Sequence, residues 1–283
     1  KQTFTGRLTE HTMRYYVDRE PDGTPLVLIH SINASGSSYE LKPIFEHYRG
    51  QRPVYALDLP GFGFSDRTDR VYSWRLYADS IIEFLQDIVG EPADVIALSL
   101  GNEFAGRAAS EHPDLFKSLV MISPSGFTKK EDKVSSQRAS DDGTSDKLHN
   151  ILANPKWGQA LYDLIATRFS IKYFLEQSFE GEPDAGLQDY GYLTSHQPGA
   201  HHAPLYFVSG TLFTPDIRQA VYEKLTIPVL VIYDRDNFVN FDTLPDVVSA
   251  YDNWQSVRIT PTKGLPQFEK LDDVTATLDA FWS

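Results

Sequence analysis

Ser99 lies in a setting that suits a nucleophile. Residues 94–106 read DVIALSLGNEFAG, an apolar and β-branched run that meets the serine and passes at once into helix-like sequence. A strand, a strained turn that lifts one hydroxyl clear and a helix together make a nucleophile elbow. Ala97 replaces the first glycine of the usual G-x-S-x-G pattern, and alanine is small enough for the strand and helix to pass closely. The alternative is an ordinary strand-to-helix turn with an incidental serine.

The composition excludes several classes of protein. The chain has 26 Lys and Arg against 39 Asp and Glu, a net charge of −13, which argues against nucleic acid or an anionic membrane as partner. Without cysteine, disulfides, thiol catalysis and Cys-ligated zinc are excluded. No run approaches the ~18 apolar residues of a membrane span. We therefore expect a soluble, cytoplasmic protein; because the sequence begins at Lys1, a removed leader is the alternative. The sequence leaves the oligomeric state open.

The elements that must position Ser99 follow a strand–helix alternation. Short continuous apolar runs, typical of strands buried on both faces, occur at 26–30, 54–57, 95–98, 119–122 and 229–233, with a shorter one at 257–259. Helical spacing of apolar residues appears at 74–89, 102–112 and 268–281, and Gly90 ends the first of these. This alternation predicts an α/β fold with a mostly parallel, doubly wound sheet that carries helices on both faces.

The alternation stops between residues 128 and 225. Residues 129–148 are polar and charged, which favours a loop or mobile segment, and an aromatic-rich helical region follows. We interpret 128–225 as a helical cap or lid over one end of the sheet. Residues 1–127 and 226–283 would then form the core domain.

A second loop carries the most specific string in the chain. Residues 58–65 read DLPGFGFS, a D-x-P-G-x-G-x-S pattern that follows a strand and precedes the serine elbow, and an earlier strand ends in His30. In this order and spacing the chain resembles the α/β-hydrolase superfamily over nearly its whole length. The resemblance implies that Ser99 is the nucleophile and that the backbone N–H groups of Leu100 and Ile32 form the oxyanion hole. Members with an aspartate nucleophile, the dehalogenases and epoxide hydrolases, are disfavoured by the serine.

The other polar residues of these two loops are not assigned as catalytic groups. The family usually has His-Gly after the strand, whereas this chain has His30 and Ser31, a change that bears on the shape of the oxyanion hole. We expect His30 to brace its own loop. Asp58 and Ser65 are assigned no catalytic role.

The resemblance also implies an acid and a base. Residues 234–239 match the family's acid loop, with Asp236 the better match and Asp234 the alternative. The base should be a histidine in a G-H-x-P-like turn, and Pro266 places that position at Gly264. No histidine follows His202. Because removing this histidine from a serine triad costs up to roughly 10⁶ in turnover, ordinary ester hydrolysis through Ser99 is called into question.

Several explanations for the missing base stay open. A cap histidine, His196, His201 or His202, is a candidate substitute base, although surface or cap-packing histidines are the simpler interpretation. A metal site at His201 and His202 is disfavoured because adjacent side chains point apart, and we predict neither metal nor cofactor. The scaffold could instead do non-hydrolytic chemistry, bind a ligand without turnover, or carry an engineered histidine-to-glycine change.

The sequence thus predicts a serine hydrolase-like enzyme of the esterase, lactonase or C–C hydrolase range, with an atypical or missing general base. Its substrate would be a small, mostly apolar carbonyl compound. The alternative is a catalytically impaired pseudoenzyme or a small-molecule-binding protein on the same fold. The apolar ligand is suggested by a set of cap aromatics: Trp157, Tyr162, Phe169, Phe174, Tyr206, Phe207 and Phe213.

Overall fold

The protein is built on one eight-stranded sheet. A computed structural model describes residues 1–129, 144–154 and 156–283. The strands are β1 (Gln2–Thr5), β2 (Thr12–Asp18), β3 (Leu26–Ile29), β4 (Val54–Leu57), β5 (Ala93–Leu98), β6 (Phe116–Ile122), β7 (Val229–Tyr233) and β8 (Trp254–Arg258). Their order is β1-β2-β4-β3-β5-β6-β7-β8. The first two strands pair antiparallel with their neighbours and the others pair in parallel, which confirms the predicted mostly parallel sheet.

Helices cover both faces of the sheet. In chain order they are α1 (Lys42–Tyr48), α2 (Trp74–Phe84), α3 (Gly101–Glu111), α4 (Thr144–Leu152), α5 (Gly158–Ile165), α6 (Arg168–Ser178), α7 (Ala185–Ser195), α8 (His202–Val208), α9 (Ile217–Ala220), α10 (Leu244–Ala250), α11 (Pro266–Glu269) and α12 (Leu271–Trp282). Alternate strand residues enter two separate apolar clusters. Phe84 and Phe104, from α2 and α3, belong to one, and Ile44 and Leu278, from α1 and α12, belong to the other. The continuous apolar runs are therefore strands buried on both sides, as predicted.

Two predicted elements differ from the structure. The prediction of a loop or mobile segment over 129–148 is wrong for its last residues, because α4 begins at Thr144. Residues 130–143 lie outside the described residues. The last apolar stripe forms two helices, since the backbone at Lys270, between α11 and α12, is not helical (φ −142°, ψ 58°). Helix α2 passes into a π-helical turn (Leu85–Val89) and ends, as predicted, at Gly90, whose φ is +77°.

Helices α4 to α9 lie between β6 and β7, and we call residues 144–224 the cap segment. Side chains join it to loops that leave the carboxyl ends of parallel strands. The Tyr162 hydroxyl donates to the carbonyl of Ala34 (2.9 Å), and the Arg67 guanidinium donates to that of Thr194 (2.9 Å). These two bonds hold Tyr162 and Thr194 beside loops at the edge of the sheet where ligands bind in open α/β folds. The core and cap boundaries stay a prediction. In the described part of the chain, no helix is both long and apolar enough to cross a membrane.

Candidate active site

The turn after β5 holds Ser99 in a strained conformation. Its φ is +50°, in the left-handed region that residues with a Cβ atom seldom adopt, and its side chain is half-buried. The Ser99 N–H donates to the carbonyl of Ile122 on the neighbouring strand (2.9 Å). A Cβ atom on Gly101 would lie 2.4 Å from the His30 carbonyl oxygen, so glycine is required where α3 begins. The predicted strand–turn–helix is therefore present, with Ser99 at its apex.

Asn102 fixes this turn from the first turn of α3. Its side-chain amide donates to the carbonyl oxygens of Ser99 (2.8 Å) and Ile122 (3.0 Å), and the residue is fully buried. These bonds tie the elbow to β6 and help to maintain the strained backbone. The role of Asn102 is not evident from the sequence, because one polar residue at the start of a helix carries no motif of its own.

The two backbone groups predicted as oxyanion donors flank the same turn. Leu100 directly follows Ser99, and Ile32 lies in the loop after β3; both side chains are buried. Within the described residues, neither backbone N–H has a hydrogen-bond acceptor in the protein. Two such donors can stabilise an oxyanion that forms beside Ser99 only if the loop that carries Ile32 is held rigidly.

A buried carboxylate, Glu40, holds that loop. One of its oxygens accepts from the Ser31 N–H (2.8 Å), and the other accepts from the Ser31 hydroxyl (2.9 Å) and the Asn33 amide (2.8 Å). The family-typical glycine would lack the hydroxyl, so Ser31 adds a bond to the loop. Glu40 was not singled out by the sequence, where it lies outside every motif.

His30 is fully buried and uses both ring nitrogens. Its Nδ1 donates to the Ser31 carbonyl (2.5 Å), and its Nε2 accepts from the Leu59 N–H (2.9 Å). With both ring nitrogens engaged, His30 joins two loops, in agreement with its predicted bracing role.

Asp58 and Ser65, to which the sequence analysis assigned no catalytic role, organise the loop after β4. Asp58 accepts from the backbone N–H groups of Ser38 (2.9 Å) and Phe64 (3.0 Å). Gly63 is needed beside it, because a Cβ atom there would lie 2.0 Å from the Asp58 carboxyl carbon. The Ser65 hydroxyl donates to the Asp58 carbonyl (2.5 Å). All these bonds join Asp58 and Ser65 to backbone groups of their own and neighbouring loops.

Asp236 has one carboxylate oxygen held and one free. Oδ1 accepts from the N–H groups of Phe238 (2.7 Å) and Val239 (3.3 Å), whereas Oδ2 has no partner among the described residues. Burial raises the pKa of Asp236 to about 6, against the lowering effect of the two N–H donors.

Asp234, the alternative acid, has both oxygens engaged. Oδ1 accepts from the Arg258 guanidinium (2.7 Å) and Oδ2 from the Thr262 N–H (2.9 Å). Burial alone would raise the pKa of Asp234, but these donors hold it below its usual range. Of the two aspartates, Asp236 is the one with an oxygen available to another group.

The free oxygen of Asp236 faces Gly264. A Cβ atom on Gly264 would lie 3.0 Å from Asp236 Oδ2 and 3.8 Å from Ser178 Cβ, the nearest other side chain. The fold therefore brings the predicted acid and the predicted base position together. The residue at that position supplies no side chain.

The three candidate substitute bases have other neighbours. His196 Nδ1 donates to the Tyr192 carbonyl (2.7 Å). His202 Nδ1 lies 3.5 Å from Asp69 Oδ1, and the ring of His201 lies 3.9 Å from that of His202. Burial, together with His202, lowers the pKa of His201. In the described part of the chain, their contacts include neither Ser99 nor Asp236.

Glu103 is a titratable group that the sequence analysis missed. It lies four residues after Ser99 on α3 and is buried. Its carboxyl accepts from the Ser125 hydroxyl (2.6 Å) and from the Thr214 N–H of the cap segment (2.8 Å). Burial raises the pKa of Glu103 to about 7, opposed by these donors and by Arg107. The only sign of Glu103 in the sequence is that it is a charged residue among the small and apolar residues of the helix that follows Ser99.

The seven cap aromatics divide into three groups. Phe169 is 83% exposed, and Trp157 and Phe174 are also exposed, so these side chains face solvent. Three others pack against the core: Tyr206, Phe207 and Phe213. Tyr162 is buried against the loop after β3.

Comparisons with known proteins agree with this architecture. A model of the alpha/beta hydrolase family matches residues 26–270. The chain is 27% identical to "Uncharacterized hydrolase YugF" of Bacillus subtilis over 113 residues, 40% of this chain and 41% of the relative. It is 30% identical to a 2-(acetamidomethylene)succinate hydrolase of Mesorhizobium japonicum over 105 residues, 37% of either chain. The chain thus spans about two fifths of the length of these curated relatives.

Among solved structures, Cfl2 from Burkholderia cenocepacia superposes with a TM-score of 0.77 at 17% identity, covering 100% of this chain and 95% of the other. At that identity the likeness shows the fold alone. The family match, in contrast, covers most of the chain, including the elbow at Ser99 and the position of Gly264. The chain belongs to the alpha/beta hydrolase family.

Proposed function

We propose that the protein is a serine hydrolase-like enzyme in which Ser99 attacks a carbonyl carbon and residue 264 supplies no base. The observation that carries this proposal is the backbone of Ser99, held at φ +50° where β5 passes into α3. A strained conformation of this kind persists only when the surrounding structure imposes it, and such strain is concentrated at functional sites.

In the proposed reaction, Ser99 Oγ forms a bond to the carbonyl carbon of an ester, lactone or related substrate. The hydroxyl proton leaves to a base, and the carbonyl oxygen becomes an oxyanion that the N–H groups of Leu100 and Ile32 bind. When this oxyanion intermediate collapses, the bond to the leaving group breaks, and the leaving group takes up a proton. Water then cleaves the acyl–serine bond. Asp236 would orient and stabilise whichever base serves.

The missing histidine limits the expected rate. Removing the base of a serine triad lowers turnover by up to roughly 10⁶, and an oxyanion hole with substrate binding retains about 10³–10⁴ over water. We therefore expect slow, Ser99-dependent turnover of a small, mostly apolar carbonyl compound, in the esterase, lactonase or C–C hydrolase range. The hydrolase relatives are consistent with this class.

A second candidate is a ligand-binding protein without turnover. The observation that favours it is Gly264, which leaves Asp236 Oδ2 without a histidine to orient. Such a protein would bind apolar carbonyl compounds saturably and melt at a higher temperature in their presence, without forming product.

A fluorophosphonate probe separates the two candidates, because it labels an activated serine. We expect the wild type to be labelled at Ser99 and to hydrolyse short p-nitrophenyl esters above background. Ser99→Ala should do neither. Ser249→Ala is the matched control, since Ser249 is exposed on α10, and it should behave as wild type. Equal ester hydrolysis by wild type and Ser99→Ala would refute the hydrolase proposal and favour the ligand-binding one.

A further inference from the structure

Ser123, the residue after β6, lies directly beside the elbow. The last register pair of β5 and β6 is Leu98 with Ile122, so the next residue on each strand is a serine: Ser99 on β5 and Ser123 on β6. Neighbouring strands lie about 4.8 Å apart. The Ile122 carbonyl accepts from the Ser99 N–H (2.9 Å), and the Ser123 N–H of the same peptide group donates to the Ile232 carbonyl (3.0 Å). The two serines therefore start side by side at the edge of the sheet where ligands bind in open α/β folds.

The backbone of Ser123 is strained in the same way as that of Ser99. Its φ is +45°, against +50° for Ser99, and residues with a Cβ atom seldom adopt this left-handed region. Pro124 follows, and the residue before a proline favours extended conformations. The chain thus carries a hydroxyl at a position that glycine would occupy with less strain. Strain of this kind is concentrated at functional sites.

The hydroxyl of Ser123 is buried without a partner. The residue is 3% exposed, and among the described residues its Oγ has no hydrogen-bond donor or acceptor. A buried hydroxyl without a hydrogen bond destabilises the fold. Two residues further on, in contrast, the Ser125 hydroxyl donates to the Glu103 carboxylate (2.6 Å). The hydroxyl of Ser123 is therefore available to a ligand that lies against Ser99.

The loop after β6 is held in place on two sides. A Cβ atom on Gly126 would lie 2.5 Å from the Ile217 side chain of α9, so the loop packs closely against the cap segment. On the other side, the Asn240 N–H donates to the Thr128 hydroxyl (2.9 Å), which joins the loop to the chain that follows the acid loop. The position of the Ser123 hydroxyl is thus fixed before a ligand binds, which lowers the entropy lost on binding.

We propose that the Ser123 hydroxyl binds the substrate by donating a hydrogen bond to a second oxygen of the carbonyl compound that Ser99 attacks. The identity of the bound molecule as a substrate rests on the proposed function; the binding contact does not. Ser123 is a specificity-determining residue in this inference, because it distinguishes compounds that carry the second oxygen from those that lack it.

The spacing of the two serines defines the class of compound. In a reactive complex the carbonyl carbon lies about 3 Å from Ser99 Oγ, and an acceptor oxygen lies about 2.8 Å from Ser123 Oγ. Because the two residues are about 4.8 Å apart, one small molecule reaches both only if its second oxygen is close to the carbonyl. Acyl compounds with an alkoxy, hydroxy or keto oxygen on the α or β carbon meet this condition.

The contact is tested with pairs of p-nitrophenyl esters that differ by one oxygen in place of a methylene group. The pairs are methoxyacetate with butanoate, and 3-methoxypropanoate with pentanoate. Ser123→Gly removes the hydroxyl and tolerates the left-handed backbone. For at least one pair we expect kcat/KM of the oxygenated ester to fall roughly 10-fold in this variant, as for the loss of one hydrogen bond, with little change for its methylene analogue.

Two further variants separate the hydroxyl from the backbone strain. Ser123→Ala lacks the hydroxyl but keeps the Cβ atom, so it should lose the same preference as Ser123→Gly. Glu10→Gly is the matched control, since Glu10 is exposed, remote in sequence from the elbow and held at φ +54°. It relieves a similar strain and should treat both esters of each pair as wild type does.

Binding is measured without turnover by NMR titration with the matching anilides, which resist hydrolysis. We expect wild type to bind the oxygenated anilide of the same pair roughly 10-fold more tightly than the methylene analogue, and both Ser123 variants to bind the two alike. Equal binding of the two anilides by wild type, or no saturable binding of either, would overturn the inference.

The outcomes separate this inference from the proposed function. A preference for the oxygenated anilides that depends on Ser123, without Ser99-dependent turnover, supports the contact and refutes the hydrolase. Ser99-dependent turnover in which both esters of each pair lose equally in the Ser123 variants overturns the contact and keeps the hydrolase, because Ser123 would then only shape the elbow.

Discussion

Asp236 Oδ2 lies 3.0 Å from the position that a Cβ atom on Gly264 would occupy. Two loops, one after β7 and one after β8, thus bring the proposed acid, Asp236, close to Gly264, the proposed position of the base. The carboxylate is held by two backbone donors and has a pKa raised to about 6 by burial. A histidine introduced at residue 264 would therefore start beside the Asp236 carboxylate.

Gly264→His should raise ester hydrolysis by roughly 10²–10⁴-fold, because it supplies a positioned general base beside Asp236. The new Cβ atom would need the Asp236 carboxylate to move by a few tenths of an ångström, which the end of a side chain can do. Steady-state rates with p-nitrophenyl esters measure the effect. Gly264→Ala, which adds the Cβ atom without the ring, should stay at the wild-type rate.

The gain in Gly264→His should disappear when Ser99→Ala is added, since the histidine acts through the Ser99 hydroxyl. An unchanged rate in a well-folded Gly264→His protein would show that the elbow and the acid loop are not placed for hydrolysis.

Asp236→Asn and Asp234→Asn should change stability in opposite directions at neutral pH. The folded-state pKa of Asp236 is raised from 3.8 to about 6, so its ionisation destabilises the fold; the effect is absent below the unfolded-state pKa and complete above pH 6. After allowance for partial exposure, Asp236→Asn should stabilise by about 1–2 kcal/mol at pH 8, and by much less at pH 4.

Asp234 has a lowered pKa, so its charged form stabilises the fold and this contribution is lost as pH falls. Asp234→Asn should therefore destabilise at pH 8, because Arg258 and the Thr262 N–H lose their carboxylate. Urea unfolding of both variants at the two pH values checks the signs. A destabilised Asp236→Asn at pH 8 would contradict this account.

The sheet could be predicted from the sequence because its strands are short continuous apolar runs. Residues 54–57 and 229–233 match β4 and β7 at both ends. The elbow was also predictable, since its chemistry demands small residues at fixed offsets from Ser99. By contrast, the start of α4 lies in a polar stretch without helical periodicity, and the break at Lys270 interrupts an otherwise regular apolar stripe.

The supporting polar residues could not be predicted, for a physical reason. Glu40 and Glu103 act through side-chain bonds to backbone and hydroxyl groups distant in sequence, and such partners leave no local pattern. Phe169 shows the opposite error: an aromatic in a helical region was interpreted as lining a ligand site, but its side chain faces solvent. Composition indicates apolar content and does not indicate which face of a helix is buried.

Glu40→Gln should loosen the loop after β3 and so displace the N–H of Ile32, one of the two proposed oxyanion donors. The amide NH₂ of glutamine would face either the Ser31 N–H or the donors at the other oxygen, so at least one accepted bond is lost and stability falls by about 1–3 kcal/mol. Measured in a Gly264→His background, we expect kcat to fall by roughly 10–10³-fold with little change in KM, as for loss of an oxyanion donor. An equal rise in KM with kcat unchanged would indicate a role in substrate binding instead.

Glu103→Gln should remove a component of the pH dependence of stability. The folded-state pKa of Glu103 is raised from 4.5 to about 7 by burial, so the folded protein binds the proton more tightly and stability falls as pH rises through this interval. The amide resembles the neutral carboxyl, accepting from the Thr214 N–H and donating to the Ser125 hydroxyl. Wild type and variant should therefore differ little at pH 4.5.

At pH 8 the variant should be more stable than wild type, by up to about 3 kcal/mol. Arg107 is the charged neighbour that favours the ionised form of Glu103. Arg107→Met should therefore destabilise the protein that carries Glu103 more than the one that carries Gln. The stability difference between the two at pH 8 should widen. Urea unfolding across this pH range measures wild type, Glu103→Gln, Arg107→Met and the double variant. Parallel stability curves for wild type and Glu103→Gln would mean that Glu103 does not titrate between these values, and that its bonds to Ser125 and Thr214 hold a permanently charged carboxylate.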